Sequence, residues 1–259
     1  MAPIPGTPHE STYAAAAFFV DQALGMAGSL FSPGRPVWTP HVLADLRDRH
    51  ASAADALGDG FTTRWARRLD GAPAEGLQLA SEMLYVHLLF ATDLSAKTKR
   101  RLVAETLVRS PDPPAVPTAL DSALDGGIAR TGVAFKLRRM SQLGLLIEAG
   151  HQWWQLTSRQ RTVALDDPWA FKAWLHGVPH DGAAAQREAL LHLVHPATFE
   201  PIISAGVKQR IVHALSRHVP AGVDDVDAAL AGIRVALERR HGHGFQFIDP
   251  AIAPLWRAK

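Results

Sequence analysis

The segment from Pro73 to Phe90 limits the possible folds of this chain more than any other stretch of the sequence. Its apolar residues cover nearly every side of a helix instead of a single stripe: Leu77, Leu79, Ala80, Met83, Leu84, Val86, Leu88 and Leu89. A helix that is apolar all round is buried, either in a protein core or in a membrane. Because no apolar run in the chain approaches the roughly 18 to 20 residues of a membrane span, we expect a helical domain built around this helix and no membrane contact.

The rest of the chain shows helical spacing of apolar residues and little sign of strands. Residues that favour helix starts precede several stretches: Thr39 with Pro40, Ser95, Asp166 with Asp167, and Asp224 with Asp225. Val133 to Leu156 predicts one long helical stretch, and Phe245 to Ile248 is the one strand-like piece. We therefore predict an all-α fold, an irregular globular bundle of about ten to twelve helices.

Proline-rich segments indicate how the chain divides. Residues 1–9 contain three prolines and a glycine, a composition that predicts a disordered N-terminus. The proline-rich run from Ser110 to Pro117 is the best candidate for a boundary between an N-terminal helical subdomain, residues 10–110, and a C-terminal helical subdomain, residues 118–259. The same run also fits a rigid loop on the surface of one domain.

Composition excludes several classes of protein. The chain has no cysteine among its 259 residues, which excludes a disulfide scaffold, a thiolate zinc site and a cysteine nucleophile. The N-terminus lacks the basic region and long apolar run of a secretion signal, so we expect a cytoplasmic protein. The phosphate-binding GxxxxGK[ST] loop and the GxGxxG, GxSxG and HExxH motifs are also missing. The sequence thus predicts no cofactor and no recognised enzymatic activity.

Thirteen histidines raise the question of a metal site or of acid–base catalysis. They include pairs such as His192 and His195 in LLHLVHP, but no group offers three or four ligands at a recognised spacing. We therefore predict no metal site. Tyr85 and His87 lie within the apolar central helix and fit satisfied core side chains. The alternative is an unrecognised small hydrolase with a pocket around His87, His192 or His213.

Local basic clusters are the candidates for nucleic-acid binding, because a net charge of only +2 gives no global signal. Phosphate contacts need several cations on one surface. The candidate residues are Lys97, Lys99, Arg100 and Arg101 in the first cluster and Lys136, Arg138 and Arg139 in the second. A third group consists of Lys208 and Arg210 with Arg239 and Arg240. The alternative for each cluster is an ordinary solvated helix face.

Six separated segments, taken in order, resemble a known family. They are SLFSPGRPVWT (29–39), QLASEMLYVHLLF (78–90), LDGGIARTGVAFKLRR (124–139), DPWAFKAWL (167–175), QREALLHLVHPATFEPIISAGVKQRIVHAL (186–215) and GFQFIDPAIAPLW (244–256). The ordered set is similar to the region preceding the motor domain in bacterial McrB-type AAA+ ATPases/GTPases. These are related to 5-methylcytosine-specific restriction subunits and other anti-phage systems. The resemblance covers most of residues 10–256.

The resemblance implies a helical recognition or coupling module that senses DNA or a partner protein. It would transmit this binding event to an AAA+ motor domain, in cis or in trans, and the motor domain works with a nuclease subunit. A motor with Walker motifs usually follows a tail like FQFIDPAIAPLW in that family, so the chain resembles the N-terminal part of a larger protein or a separately made relative.

None of the family's nucleotide-binding residues has a counterpart in this chain, so the resemblance implies a non-catalytic module. The segment from Arg187 to Leu215, called the hairpin below, is expected to be a coupling element. Double-stranded DNA is a further candidate partner. A stand-alone interaction or oligomerisation adaptor is the alternative.

Overall fold

The structure, a computed structural model, describes residues 9–179 and 181–257. Residues 1–8 of the segment predicted to be disordered lie outside the described residues. The described ranges form fourteen α-helices and no strand, which confirms the all-α fold. In chain order the helices are α1 (Glu10–Phe19), α2 (Pro40–Ser52), α3 (Phe61–Arg68), α4 (Ala74–Leu89), α5 (Ala96–Leu107), α6 (Thr118–Ala123), α7 (Gly132–Leu137), α8 (Arg139–Trp153), α9 (Ser158–Asp166), α10 (Pro168–Gly177), α11 (Ala184–Val194), α12 (Ala205–Ala214), α13 (Val226–His241) and α14 (Pro254–Arg257).

Helix α4 is the centre of the fold, as its sequence predicts. Every residue from Gly76 to Leu89 is buried, and α4 packs against α1, α2, α5 and α8. The absence of a side chain at Gly150 lets α8 approach closely, because a Cβ there would lie 2.8 Å from Leu43 Cδ2 of α2 and 3.3 Å from Met83 Cε of α4. Within the described ranges, no helix is both long enough and apolar enough to cross a membrane.

Two predicted elements differ in the structure. The stretch from Val133 to Leu156 is broken at Arg138, whose backbone leaves the helical region at φ −95° and ψ 27° and separates α7 from α8. The strand-like piece Phe245 to Ile248 is irregular and contains a turn. Phe247 fills the core from this turn, and its carbonyl accepts a hydrogen bond from Trp256 Nε1.

A buried carboxylate of α4 organises the connector between α1 and α2. Glu82 is fully buried, and its two oxygens accept five hydrogen bonds. The donors are Ser29 Oγ (2.6 Å), Phe31 N (3.1 Å) and Gln78 Nε2 (3.0 Å) to Oε1, and Leu30 N (3.0 Å) and Trp38 Nε1 (2.7 Å) to Oε2. These donors replace the water that a buried carboxylate loses. Glu82 therefore fixes the path of residues 29–38 across α4.

The hydrophobic core has two parts, and they do not divide at the proline-rich run. The larger part contains buried residues from Ala15 to Phe199, on both sides of residues 110–117, and Val116 packs against it. The smaller part consists of Ile211, Leu215, Leu230, Ile233, Leu237, Phe247, Ile252 and Trp256. Residues 110–117 therefore lie beside a continuous part of the core, and the division into subdomains of residues 10–110 and 118–259 stays a prediction. The division lies after Phe199, inside the hairpin.

Candidate functional site

The first basic cluster does not form one exposed surface. Lys99 is fully buried, and its Nζ donates to the carbonyl of Gly126. Burial lowers the pKa of Lys99 to about 8, against the opposing charges of Asp93 and Asp125. Both interpretations of the first cluster, a phosphate-binding surface and a solvated helix face, require Lys99 to be exposed, and both are wrong for this residue. The signal for its burial was in the sequence, since Lys99 precedes buried Leu102 by three positions, which places both on one helix face.

Two other cations of this cluster are paired within the protein. Arg100 Nε lies 2.9 Å from Asp121 Oδ1, and its Nη1 lies 2.7 Å from Asp125 Oδ1. The hydrogen bonds that Arg100 donates to Asp125 and Asp121 raise its pKa. Arg101 contacts Glu105 one turn later at 2.7 Å but remains about half exposed. Carboxylates beside these cations weaken the attraction that a phosphate would feel.

The start of the second cluster is held by an aspartate in the loop after α4. Asp93 accepts hydrogen bonds from the backbone N–H groups of Thr131 and Gly132, and Lys136 Nζ lies 3.0 Å from its Oδ2. Burial would raise the pKa of Asp93, but the hydrogen bonds from Thr131, Lys136 and Gly132 hold it well below the usual range. The ion pair of Lys136 with Asp93 therefore attaches α7 to the loop after α4.

The last two cations of the second cluster differ sharply from each other. Arg138 is exposed at the break between α7 and α8. Arg139 is only 9% exposed, and its guanidinium carbon lies 4.7 Å from the centroid of the Phe61 ring. Its Nε is buried without a hydrogen-bond acceptor in the part of the chain that the structure describes. Burial and the charge of Arg101 lower the pKa of Arg139.

The exposed members of the predicted nucleic-acid site are thus Lys97, Arg101 and Arg138. An open apolar groove of about 320 Å³ lies beside α5, between Val103, Leu107 and the proline-rich loop. Binding of nucleic acid by the seven candidate residues stays a prediction.

The hairpin contains an ionic junction that sequence reasoning missed. Lys208 of α12 is 1% exposed, and its Nζ contacts Glu188 of α11 and Asp227 of α13, the latter at 2.5 Å. Lys172 of α10 contacts Asp227 and Asp225, both at 2.6 Å. Four helices from both parts of the core therefore meet at five charged side chains. Spacing could have shown that Lys208 is buried, because it precedes core residue Ile211 by three positions, but it could not show the partners.

The charges at this junction depend on one another. Burial raises the pKa of Glu188, while the charge and hydrogen bond of Lys208 lower it. Burial lowers the pKa of Lys172, but Asp225 and Asp227 outweigh this and raise it. Removal of one cation would leave buried carboxylates close together, which is strongly unfavourable.

A second ionic link joins the middle of the hairpin to the C-terminal segment. Glu200 is 4% exposed and binds Arg234 of α13 through both carboxylate oxygens. Arg234 also donates to the carbonyl of Phe245 at 3.1 Å and lies 4.5 Å from that ring's centroid and 5.6 Å from the ring of Phe247. The hairpin is thus attached to the smaller part of the core at two separate places.

The candidate catalytic histidines are placed differently from one another. His192 is buried, with Nε2 3.0 Å from Tyr13 Oη and Nδ1 2.6 Å from the carbonyl of Phe199. Burial lowers the pKa of His192 to about 4. His87 is buried with Nδ1 2.6 Å from Gln186 Oε1, and burial lowers its pKa to about 3. His213 is exposed.

The positions of the acidic and histidine side chains bear on metal binding. Among the described residues, no group of three or more has the arrangement to hold a metal ion. The 320 Å³ groove and a cavity of about 20 Å³ near Trp38 and Gly150 contain no histidine in their walls.

In comparisons with known proteins, no protein-family profile, curated protein or solved structure matches the chain. The likeness to McrB-type proteins therefore stays a prediction from the six sequence segments.

Proposed function

We propose that the chain is a non-catalytic coupling module of a McrB-like AAA+ restriction or anti-phage protein in the bacterial cytoplasm. The hairpin couples a larger helical body to a smaller C-terminal core, and an AAA+ motor and a nuclease subunit are the partners. The observation that carries the proposal is the buried junction at Lys208, which ties four helices of both core parts together. The ordered sequence segments supply the family, and two of them, residues 186–215 and 244–256, form the hairpin and the tail, whose helix α14 packs against α12.

Coupling requires that a conformational change in one part of the core alter the conformation of the other part. A charged junction between the two parts suits this role. Buried ion pairs add little net stability compared with apolar side chains of the same size, but they penalise any arrangement that separates the partners. A shift of α13 relative to α11 would separate Lys208 from Glu188 or from Asp227. Movements in which the two parts of the core stay together are therefore favoured over movements that separate them.

The test measures GTP and ATP hydrolysis by a McrB-type motor from the same genome, with and without the purified chain. We expect the chain to bind the motor and change its rate several-fold, and to hydrolyse neither nucleotide alone. Lys208→Met should retain motor binding but lose most of the rate change, and Lys97→Met is the matched control at an exposed lysine. Arg234→Met, which removes the second link, provides an independent variant.

Three results would contradict the proposal. These are nucleotide hydrolysis by the chain alone, lack of any binding to the motor, and a rate change in Lys208→Met equal to that of the wild type. Self-association in light scattering without motor binding would favour the oligomerisation adaptor instead.

DNA binding is a second candidate function, favoured by the exposed positions of Lys97, Arg101 and Arg138. Methylated and unmethylated duplexes should be titrated at several salt concentrations. If these three side chains contact phosphates, changing all three to alanine should reduce the slope of log K against log salt by up to about 3, at about 0.9 for each contact. An unchanged slope would exclude this surface.

A further inference from the structure

Arg139 is a buried cation that the described part of the chain leaves without a counterion. The residue is 9% exposed, and no carboxylate lies within ion-pair distance of it among residues 9–179 and 181–257. Its Nε is buried without an acceptor. Nη1 and Nη2 differ from Nε in this respect. Burying an unpaired guanidinium is expensive. Packing on Phe61 offsets only part of this.

We propose that Arg139 is the centre of a binding site for a phosphate-class anion at the junction of α7 and α8. The accessible Nη edge of its guanidinium would hold two anion oxygens, which is the geometry in which arginine binds phosphate. The inference deepens the DNA-binding candidate, because a nucleic-acid backbone is one source of such an anion, but it does not depend on the coupling role.

The surroundings of Arg139 favour a negative charge at this place. Arg139 is the first residue of α8, which has 15 residues, so the positive end of the helix dipole lies here. Arg138 is exposed next to it, and the charge of Arg101 is near enough to lower the pKa of Arg139. On neighbouring elements, Asp93 is paired with Lys136 and Glu105 with Arg101.

Anion binding can be separated from a purely structural role by Arg139→Met. Replacing an unpaired buried charge by an apolar side chain of similar length should leave stability unchanged or raise it, whereas it should weaken pyrophosphate binding at least about tenfold. Titration calorimetry at low ionic strength measures the affinity, and thermal denaturation measures stability with and without pyrophosphate. Arg159→Met, at an exposed arginine of α9, is the control and should stay within about twofold of wild type.

A second variant covers the case in which Arg139→Met does not fold. Arg139→Lys retains the charge but lacks the planar fork, so it should fold and bind pyrophosphate with intermediate affinity. In both variants, the Nε–H resonance of Arg139 disappears from the NMR spectrum. This identifies the resonance in the wild type, where it should shift on addition of pyrophosphate but not of sodium chloride at equal ionic strength.

The source of the anion is decided by a parallel titration with a short DNA duplex. Weaker duplex binding by Arg139→Met indicates backbone phosphate. If duplex affinity is unchanged but pyrophosphate binding is lost, the ligand is a free phosphoanion. The anion site is then supported, but Arg139 is not part of a DNA-binding surface. The proposal is overturned if Arg139→Met and Arg139→Lys bind both probes as tightly as the wild type does, or if the wild type binds neither. None of these outcomes affects the motor experiment with Lys208→Met.

Discussion

The substitution Glu82→Gln tests whether the buried carboxylate of α4 holds the connector of residues 29–38 in place. The glutamine side chain has nearly the same shape, but one carboxylate oxygen becomes an NH2 group. The more favourable orientation keeps the oxygen at the position of Oε1, which serves three donors. The NH2 group then faces Leu30 N and Trp38 Nε1, which lie 3.0 and 2.7 Å from Oε2 in the native protein.

The expected loss of stability follows from these contacts. Two buried donors lose their acceptor, and each unsatisfied donor destabilises the fold by about 1–3 kcal/mol. The free energy of unfolding should therefore fall by about 2–6 kcal/mol, a large fraction of the roughly 5–15 kcal/mol of a typical domain. In a chain of this size that corresponds to a decrease in melting temperature of about 10 °C. A smaller loss requires the connector to move and pair its donors elsewhere.

Urea denaturation followed by far-UV circular dichroism measures the difference between Glu82→Gln and the wild type. Glu75→Gln is the matched control, because Glu75 lies on the same helix in a half-exposed pair with Arg35 at 3.7 Å. The control should change the free energy of unfolding by less than about 0.5 kcal/mol. If Glu82→Gln and Glu75→Gln unfold within about 1 kcal/mol of each other, the reasoning about Glu82 is refuted.

Two further predictions concern acid sensitivity and helix packing. Burial lowers the pKa of His192 in the folded protein from its ordinary value of about 6.5 to about 4. As the pH falls, the unfolded chain therefore binds a proton at this residue before the folded chain does. Stability should therefore fall by up to about 1.4 kcal/mol per pH unit between pH 6.5 and 4. Urea midpoints across this range should show a smaller fall in His192→Gln, and equal falls would contradict the assignment. Gly232→Ala should destabilise the fold by about 1–3 kcal/mol, because the new Cβ would lie 2.4 Å from Pro220 Cδ. Gly206→Ala, which meets only an atom 4.0 Å away, should be neutral or stabilise by up to about 1 kcal/mol, and similar midpoints for both variants would exclude the clash.

Features that depend on neighbouring residues in sequence were predictable. Thr39, Ser95 and Asp167 accept the backbone hydrogen bonds of helix N-termini as expected from their positions before α2, α5 and α10. The burial of α4 follows from its apolar residues, because no other environment suits a helix that is apolar all round. Local spacing and capping chemistry are sufficient for such predictions.

Features that depend on distant partners were not predictable. Lys208 and Glu188 are 20 positions apart, and only the packing of α11, α12 and α13 brings them together with Asp227. The basic run on α5 was also misleading, because a lysine such as Lys99 can reach a backbone carbonyl while its chain lies in the core. The charge of a residue is written in the sequence, but its counterion is set by the tertiary fold.

The division of the core inside the hairpin has a consequence for local unfolding. Among the described residues, the smaller part contains eight buried apolar residues, drawn from α12 and its C-terminal end, α13 and the C-terminal segment. Opening this unit breaks the ion pairs of Lys208 with Glu188 and of Lys172 with Asp225 and Asp227, but α4 and its neighbours stay folded, so its free energy lies below that of global unfolding. We expect backbone amides of α13 to exchange with deuterium sooner than those of α4. A ligand bound to the larger body would slow exchange in α13 only if the hairpin transmits its stabilisation.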